Sequence, residues 1–238
     1  MHWIDYASYG VYLYLSCFTS QLMPEFSTST HGSRRLFYIY DPMCSWCYAF
    51  AKGWYALQQA LSADIQIIYV VGGLAPDTVE PMPETMRTMI QHTWRKIEKM
   101  VPGVQFNYDF WACNTPIRST YPACRAMLAA KKQEGVAGLV DMLCAIQTAY
   151  YQQAQNPSLP ETLTACAGEI GLDITLFATD LVSDNINIAL KQEIQLARKL
   201  DAFSFPALRF MQDEKLYSIN VEYLDHQKML NEINTLIA

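Results

Sequence analysis

Positive charge is scarce in this chain of 238 residues: Lys and Arg number 17 against 23 Asp and Glu, a formal charge of −6. Nucleic acids and anionic bilayers are bound by clustered Lys and Arg, so neither is expected as a partner. Charge of either sign is low, 17% of residues, against about 25% in an average soluble domain. With 51% apolar residues, the composition excludes a disordered chain and supplies a sizeable core. Long apolar runs are missing too. Residues 11–18 fall far short of the roughly 20 residues that cross a bilayer. The first ten residues hold Asp5 but no Lys or Arg, unlike a secretory leader. No export, no membrane partner and a cytoplasmic location are the expectation.

Seven cysteines, an odd number, exclude a fully paired disulfide framework. Cys17, Cys113, Cys124, Cys144 and Cys166 are scattered, as befits thiols that pack like small hydrophobes in a reducing compartment. Only Cys44 and Cys47 stand at a recognisable spacing. A structural zinc takes four ligands. The chain has no second CxxC and no HxxxH, and Cys113 and Cys124 are too isolated to complete a site, so no metal is expected.

Residues 21–35 are polar and Ser/Thr-rich, and residues 1–33 are expected to be an amino-terminal extension or linker outside the functional domain, with Met23 as an alternative start. Residues 36–40, LFYIY, read as a buried strand broken by Asp41, Pro42 and Met43. From Cys47 onward the stripe Cys47, Phe50, Trp54, Leu57 and Leu61 has helical spacing. Residues 65–71 form a second strand closed by Gly72 and Gly73. Strand, helix and strand make a βαβ unit with parallel strands. Helices follow: one after Pro83 with Met86, Ile90, Trp94, Ile97 and Val101, one over 122–132 ending near Gly135, and one over 139–155 stopped by Asn156–Pro157. A short helix starts near Pro160, and a long one is capped by Ser183 with Ile186, Leu190, Ile194 and Ala197 inward. Residues 207–211 and 216–219 form a hairpin, and 223–237 a last helix. The fold class is α/β: βαβ, an all-helical insertion after the second strand, then ββα.

The CxxC pair sits where the first strand hands over to the first helix, the setting of a thioredoxin-like redox motif. Cys44 falls at the helix start, where unpaired N–H groups and the positive helix end favour a thiolate. Its pKa is expected in the range of about 3.5–7.5 found at such sites. Cys44 is therefore the candidate nucleophile, exposed, and Cys47, one turn deeper and shielded, the candidate resolving thiol. Two neighbouring buried cysteines without function are the competing reading. Ser204–Phe205–Pro206 precedes the third strand; Pro206 either opens that strand or forms a cis peptide that shows the Phe205 backbone to a substrate. Trp46 is expected to be partly exposed, with fluorescence that follows the redox state. Cys124 reads as core filler or a mildly activated thiol, and Arg125 as an anion contact or a solvated side chain. Met82, Met86, Met89 and Met100 read as core or as an adaptable surface. His92 and His226 have no spacing to a cysteine that would support a Cys–His hydrolase.

The segments YIYDPMCSWCYAF, VVGGLAP, STYPACRA and FSFPAL resemble the DsbA-like thioredoxin family, in its FrnE-like cytoplasmic branch, over about residues 35–237. The resemblance implies a thioredoxin-like domain at 34–75 and 200–238, with a helical insertion at 76–199 that roofs the site. It implies a redox-active Cys44–Cys47 pair and a cis Pro206. Ser45, Trp46, Phe205 and Pro206 would contact protein or small-thiol substrates, glutathione among them, with no cofactor beyond the dithiol and no set oligomeric state. Strongly oxidising periplasmic members carry Pro–His where this chain has Ser45–Trp46. The implied couple therefore lies nearer thioredoxin (about −270 mV) than DsbA (about −120 mV). Two rival classes stand beside a thiol–disulfide oxidoreductase or isomerase. One is a glutathione-dependent isomerase or transferase of the kappa and hydroxychromene-carboxylate type, in which Ser replaces the leading Cys. The other is a holdase that uses the helical surface without catalysis.

Overall fold

A run of aromatic and branched residues, Arg34–Tyr40, forms β1, and its last five side chains are buried. The computed structural model describes residues 34–237; the expected extension at 1–33, with Cys17 and Met23, lies outside them. Ser45–Ala60 forms α1 and Ile65–Val71 forms β2. β1 and β2 pair in parallel, from Arg34 opposite Ile65 to Tyr40 opposite Val71, as a strand–helix–strand crossover requires. Six helices follow: α2 (Glu84–Met100), α3 (Phe110–Cys113), α4 (Tyr121–Tyr151), α5 (Pro160–Glu169), α6 (Ile174–Leu181) and α7 (Asp184–Lys199). β3 (Ala207–Gln212), β4 (Lys215–Ile219) and α8 (His226–Ile237) end the order. The sheet runs β2-β1-β3-β4, with β3 antiparallel to both neighbours.

β1 is central, and its buried aromatics tie it to α1. Tyr38 and Tyr40 stack at 5.0 Å, and Tyr38 meets Trp54 of α1 at 4.5 Å. α1 buries Cys47, Phe50, Trp54 and Leu57, the stripe read from spacing, while Leu61 is its half-buried C-cap. α2 buries Ile90, Trp94 and Ile97. Trp94 centres an aromatic cluster with Phe106 at 4.8 Å, Trp111 at 4.9 Å and Tyr151 at 5.7 Å. Tyr151 stacks in turn on Tyr48 of α1 at 4.5 Å. The helices between β2 and β3 therefore share one continuous core with the sheet, next to the CxxC helix.

The helical pattern differs from expectation in three places. The segments read at 122–132 and 139–155 are one element, α4, interrupted where Glu134 and Gly135 leave helical geometry. Its second half stops at Tyr151, before the Asn156–Pro157 breaker. α3 is a single turn, and α6, ITLFATDL, is too apolar to show a period, although Asp173 caps it by accepting the Leu176 N–H at 2.9 Å. The methionines divide: Met82 is buried, Met86 half-buried, and Met89 and Met100 exposed, so they form neither one surface nor one core. The β3–β4 hairpin turns through Asp213 and Glu214, both at positive φ (49° and 61°), the geometry that matches strand twist in a two-residue loop.

Gly135 holds φ 63° and ψ −146°, a region other residues enter only at a cost of about 1–3 kcal/mol. A Cβ there would meet open space, so the cost of Gly135→Ala is conformational alone. The variant should lower the urea midpoint by that free energy at unchanged slope. An unaltered midpoint would show that α4 does not need the interruption.

Candidate active site

Register decides where the chemistry-bearing residues meet. Tyr40 ends β1 opposite Val71, the end of β2, while Ile39 lies opposite Ala207, the start of β3. The residues after Tyr40, those after Val71 and those before Ala207 therefore converge at one end of the sheet. The Gly72 N–H continues the ladder to the Tyr40 carbonyl at 2.7 Å. Cys44 is the N-cap of α1, with extended backbone (φ −82°, ψ 117°), held by its N–H to the Asp41 carbonyl at 3.0 Å. Across from it the Phe205–Pro206 peptide is cis, and the Cys44 thiol donates to the Phe205 carbonyl at 3.4 Å. Pro206 thus both precedes β3 and faces the CxxC turn.

The two thiols shift each other's pKa in opposite directions. Cys47 is the largest influence holding the Cys44 thiol below its ordinary pKa. The backbone N–H groups of Cys47 and Trp46 at the helix start act the same way, while burial and the Asp41 charge oppose them. Burial pushes Cys47 well above the ordinary value, and Cys44 adds to the effect. Of the two sulfurs, the arrangement favours the thiolate at Cys44 over one at Cys47. The expectation of an exposed nucleophile needs correction. Cys44 is 7% exposed and Cys47 1%, with the Phe205 carbonyl 3.4 Å from the Cys44 sulfur. The asymmetry between the two sulfurs is electrostatic more than steric. Ser45 and Trp46 are half-buried, and the Trp46 ring lies 5.2 Å from Tyr223 and 6.0 Å from the Lys96 ammonium of α2.

Sequence reading treats Asp41 as a strand breaker only. In the fold it is fully buried beside the pair. Its carboxylate accepts the Met43 N–H at 2.8 Å, the Leu74 N–H at 2.7 Å, the Thr120 hydroxyl at 2.6 Å and the Cys124 thiol at 3.6 Å. Burial raises its pKa, and the Thr120 hydroxyl and the two amides act against that rise. Cys124 is fully buried and its thiol is pushed well up by burial and by Asp41, which removes it as an activated thiol. Arg125 is committed to both Asp77 oxygens at 2.7 and 2.8 Å. His92 lies exposed on α2, and His226 is half-buried at the start of α8. Gly72 was legible only as a strand end, yet a Cβ there would overlap the Phe205 ring.

Residues 37–232 match a family model described as thioredoxin. A curated relative, the ClpXP adapter protein SpxH of Halalkalibacterium halodurans, is 29% identical over 177 residues, 73% of this chain and 57% of that protein. The chain thus spans little more than half that relative's length. Among solved structures, a candidate protein disulfide isomerase from Nitrosomonas europaea is 25% identical, with TM-score 0.75, over 86% of this chain and 98% of that one. The cytosolic disulfide reductase DsbM of Pseudomonas aeruginosa is 22% identical, with TM-score 0.69, over 86% of this chain and all of its own. It has also been solved with glutathione.

Gly72→Ala should force the Phe205 ring aside and with it the carbonyl that faces Cys44. Misplacement of such a group costs about tenfold or more in rate, so disulfide exchange by Gly72→Ala should fall by that much. Phe205→Ala removes the obstacle. The double variant should therefore lose less than the sum of the single losses, and strict additivity in kcat/KM would refute the contact.

Proposed function

For a chain that belongs to the thioredoxin family, we propose the activity of a thiol–disulfide oxidoreductase in which Cys44 attacks and Cys47 resolves. The observation that carries this reading is the Cys44 sulfur at the N-cap of α1, one turn from Cys47 and 3.4 Å from the Phe205 carbonyl of the cis Phe205–Pro206 peptide. The Cys44 thiolate attacks one sulfur of a substrate disulfide, and the leaving thiolate takes up a proton. Cys47 then loses its proton and attacks Cys44, which releases the second substrate thiol and leaves a Cys44–Cys47 disulfide. Two electrons pass from the pair to the substrate; the reverse sequence oxidises a dithiol. Ser45, Trp46, Phe205 and Pro206 surround Cys44 and are the proposed substrate contacts.

Protein or small-thiol disulfides, glutathione included, are the proposed substrates; the isomerase-type and glutathione-bound relatives support that class. The two cysteines at 44 and 47 favour exchange over a glutathione-dependent isomerase or transferase. A helical insertion at 76–199 within a thioredoxin-like domain at 34–75 and 200–238 would set access, since Lys96 and Tyr151 reach Trp46 and Tyr48 at the rim. Among the described residues no helix is long and apolar enough to cross a membrane. The cytoplasm is the proposed location, consistent with six free thiols among those residues.

Insulin reduction by wild type against Cys44→Ser, with mass-spectrometric trapping in glutathione buffers, tests the assignment. Wild type should reduce insulin and form a Cys44–Cys47 disulfide, and Cys44→Ser should lose at least about a hundredfold. Alkylation should strike Cys44 first, rising with pH through a midpoint below that of a free thiol (about 8.5), because the thiolate is the reactive form. Equal insulin reduction by the variant would leave an adapter or holdase role like that named for SpxH. Saturation with glutathione and an electrophile, without insulin reduction, would favour the transferase.

A further inference from the structure

Among the described residues, Asp41 is the one fully buried carboxylate at the convergent end of the sheet, and the exchange chemistry above makes no use of it. Its four donors come from three places: Met43 in the CxxC turn, Leu74 in the segment after β2, and Thr120 and Cys124 at the start of α4. No ion pair neutralises it among the described residues, and Arg118 acts on it only at longer range. Burial raises the Asp41 pKa, and hydrogen bonds from two amides and a hydroxyl support the charged carboxylate against that rise. When Asp41 is ionised, its charge lies beside a sulfur that must become negative, which is unfavourable, and the low surrounding polarity enlarges the effect.

We propose that Asp41 is a positioning residue for the dithiol: it fixes the turn that presents Cys44, and its charge opposes the Cys44 thiolate, biasing the pair towards the disulfide. The inference rests on the exchange reading above. The two reduced cysteines give two electrons and two protons to a disulfide such as oxidised glutathione, yielding Cys44–Cys47 and two reduced glutathiones. The disulfide is neutral while the reduced pair carries the thiolate, so a nearby negative charge raises the free energy of the reduced form alone. Asp41 thereby makes the protein a stronger reductant, in the direction that the Ser45–Trp46 dipeptide suggests. The titratable and charged groups that interact with Asp41 are Cys44 and Cys47 of α1, Arg118 before α4, and Cys124, Tyr150 and Tyr151 of α4.

The test is equilibration of the full chain with glutathione buffers, the Cys44–Cys47 disulfide counted by mass spectrometry, beside a pH titration of thiolate absorbance. Asp41→Asn should lower the equilibrium constant for oxidation by about tenfold, which is about 30 mV for a two-electron couple, and move the Cys44 titration to lower pH. Thr120→Val keeps both amide bonds to Asp41 but removes one donor to the carboxylate, and should shift both readouts the same way by less. It serves if Asp41→Asn does not fold. Wild-type equilibrium constants and titrations in folded variants, or shifts of opposite sign, would overturn the role of Asp41 while leaving the exchange reading intact. If wild type itself forms no Cys44–Cys47 disulfide, the exchange reading falls and takes this inference with it.

Discussion

A sheet in which β1 runs parallel to β2 and antiparallel to β3 has one end where two strands finish and a third begins. The candidate site follows from that geometry. The turn after β1 carries Cys44, the segment after β2 carries Gly72 and Leu74, and the residue before β3 is Pro206. No local propensity could bring residues 44 and 205 together; only the pairing of Ile39 with Ala207 does so. The helix that begins at Ser45 then adds a positive end at the point of convergence, and burial makes each charge there weigh more than it would in water.

What is legible in the sequence is what depends on neighbours within a turn or two. The stripe from Cys47 to Leu57, the β2 bounds, the hairpin and the CxxC position all follow from spacing. What is not legible depends on distant partners. Asp41 looks like punctuation because Leu74 and Thr120, which explain it, stand 33 and 79 positions away. Cys44 looks exposed because the residue whose carbonyl meets it is 161 positions on. Cys124 and Arg125 look available until Asp41 and Asp77 are seen to claim them.

The helical segment is more than an appendage. Its aromatic cluster reaches Tyr48 through Tyr151, and its α2 reaches Trp46 through Lys96. Both contacts fall within one turn of the dithiol. Changes in those helices can therefore alter how α1 sits without touching either sulfur, which makes them a natural place for substrate preference to diverge among relatives.

The interruption at Gly135 gives α4 an unusual task. A straight helix of its 31 residues would be about 46 Å long, and its tips could not both touch one small region. Yet Thr120, at its start, bonds Asp41, and Tyr151, at its end, stacks on Tyr48. α4 is a clasp: two arms hinged far from the sulfurs, each fingertip resting on the same short stretch of chain. Inserting a single residue into either arm would spin its tip by about 100° and open the clasp on that side, so arm length is a quantity the fold must conserve even where the residues along the arm are free to vary.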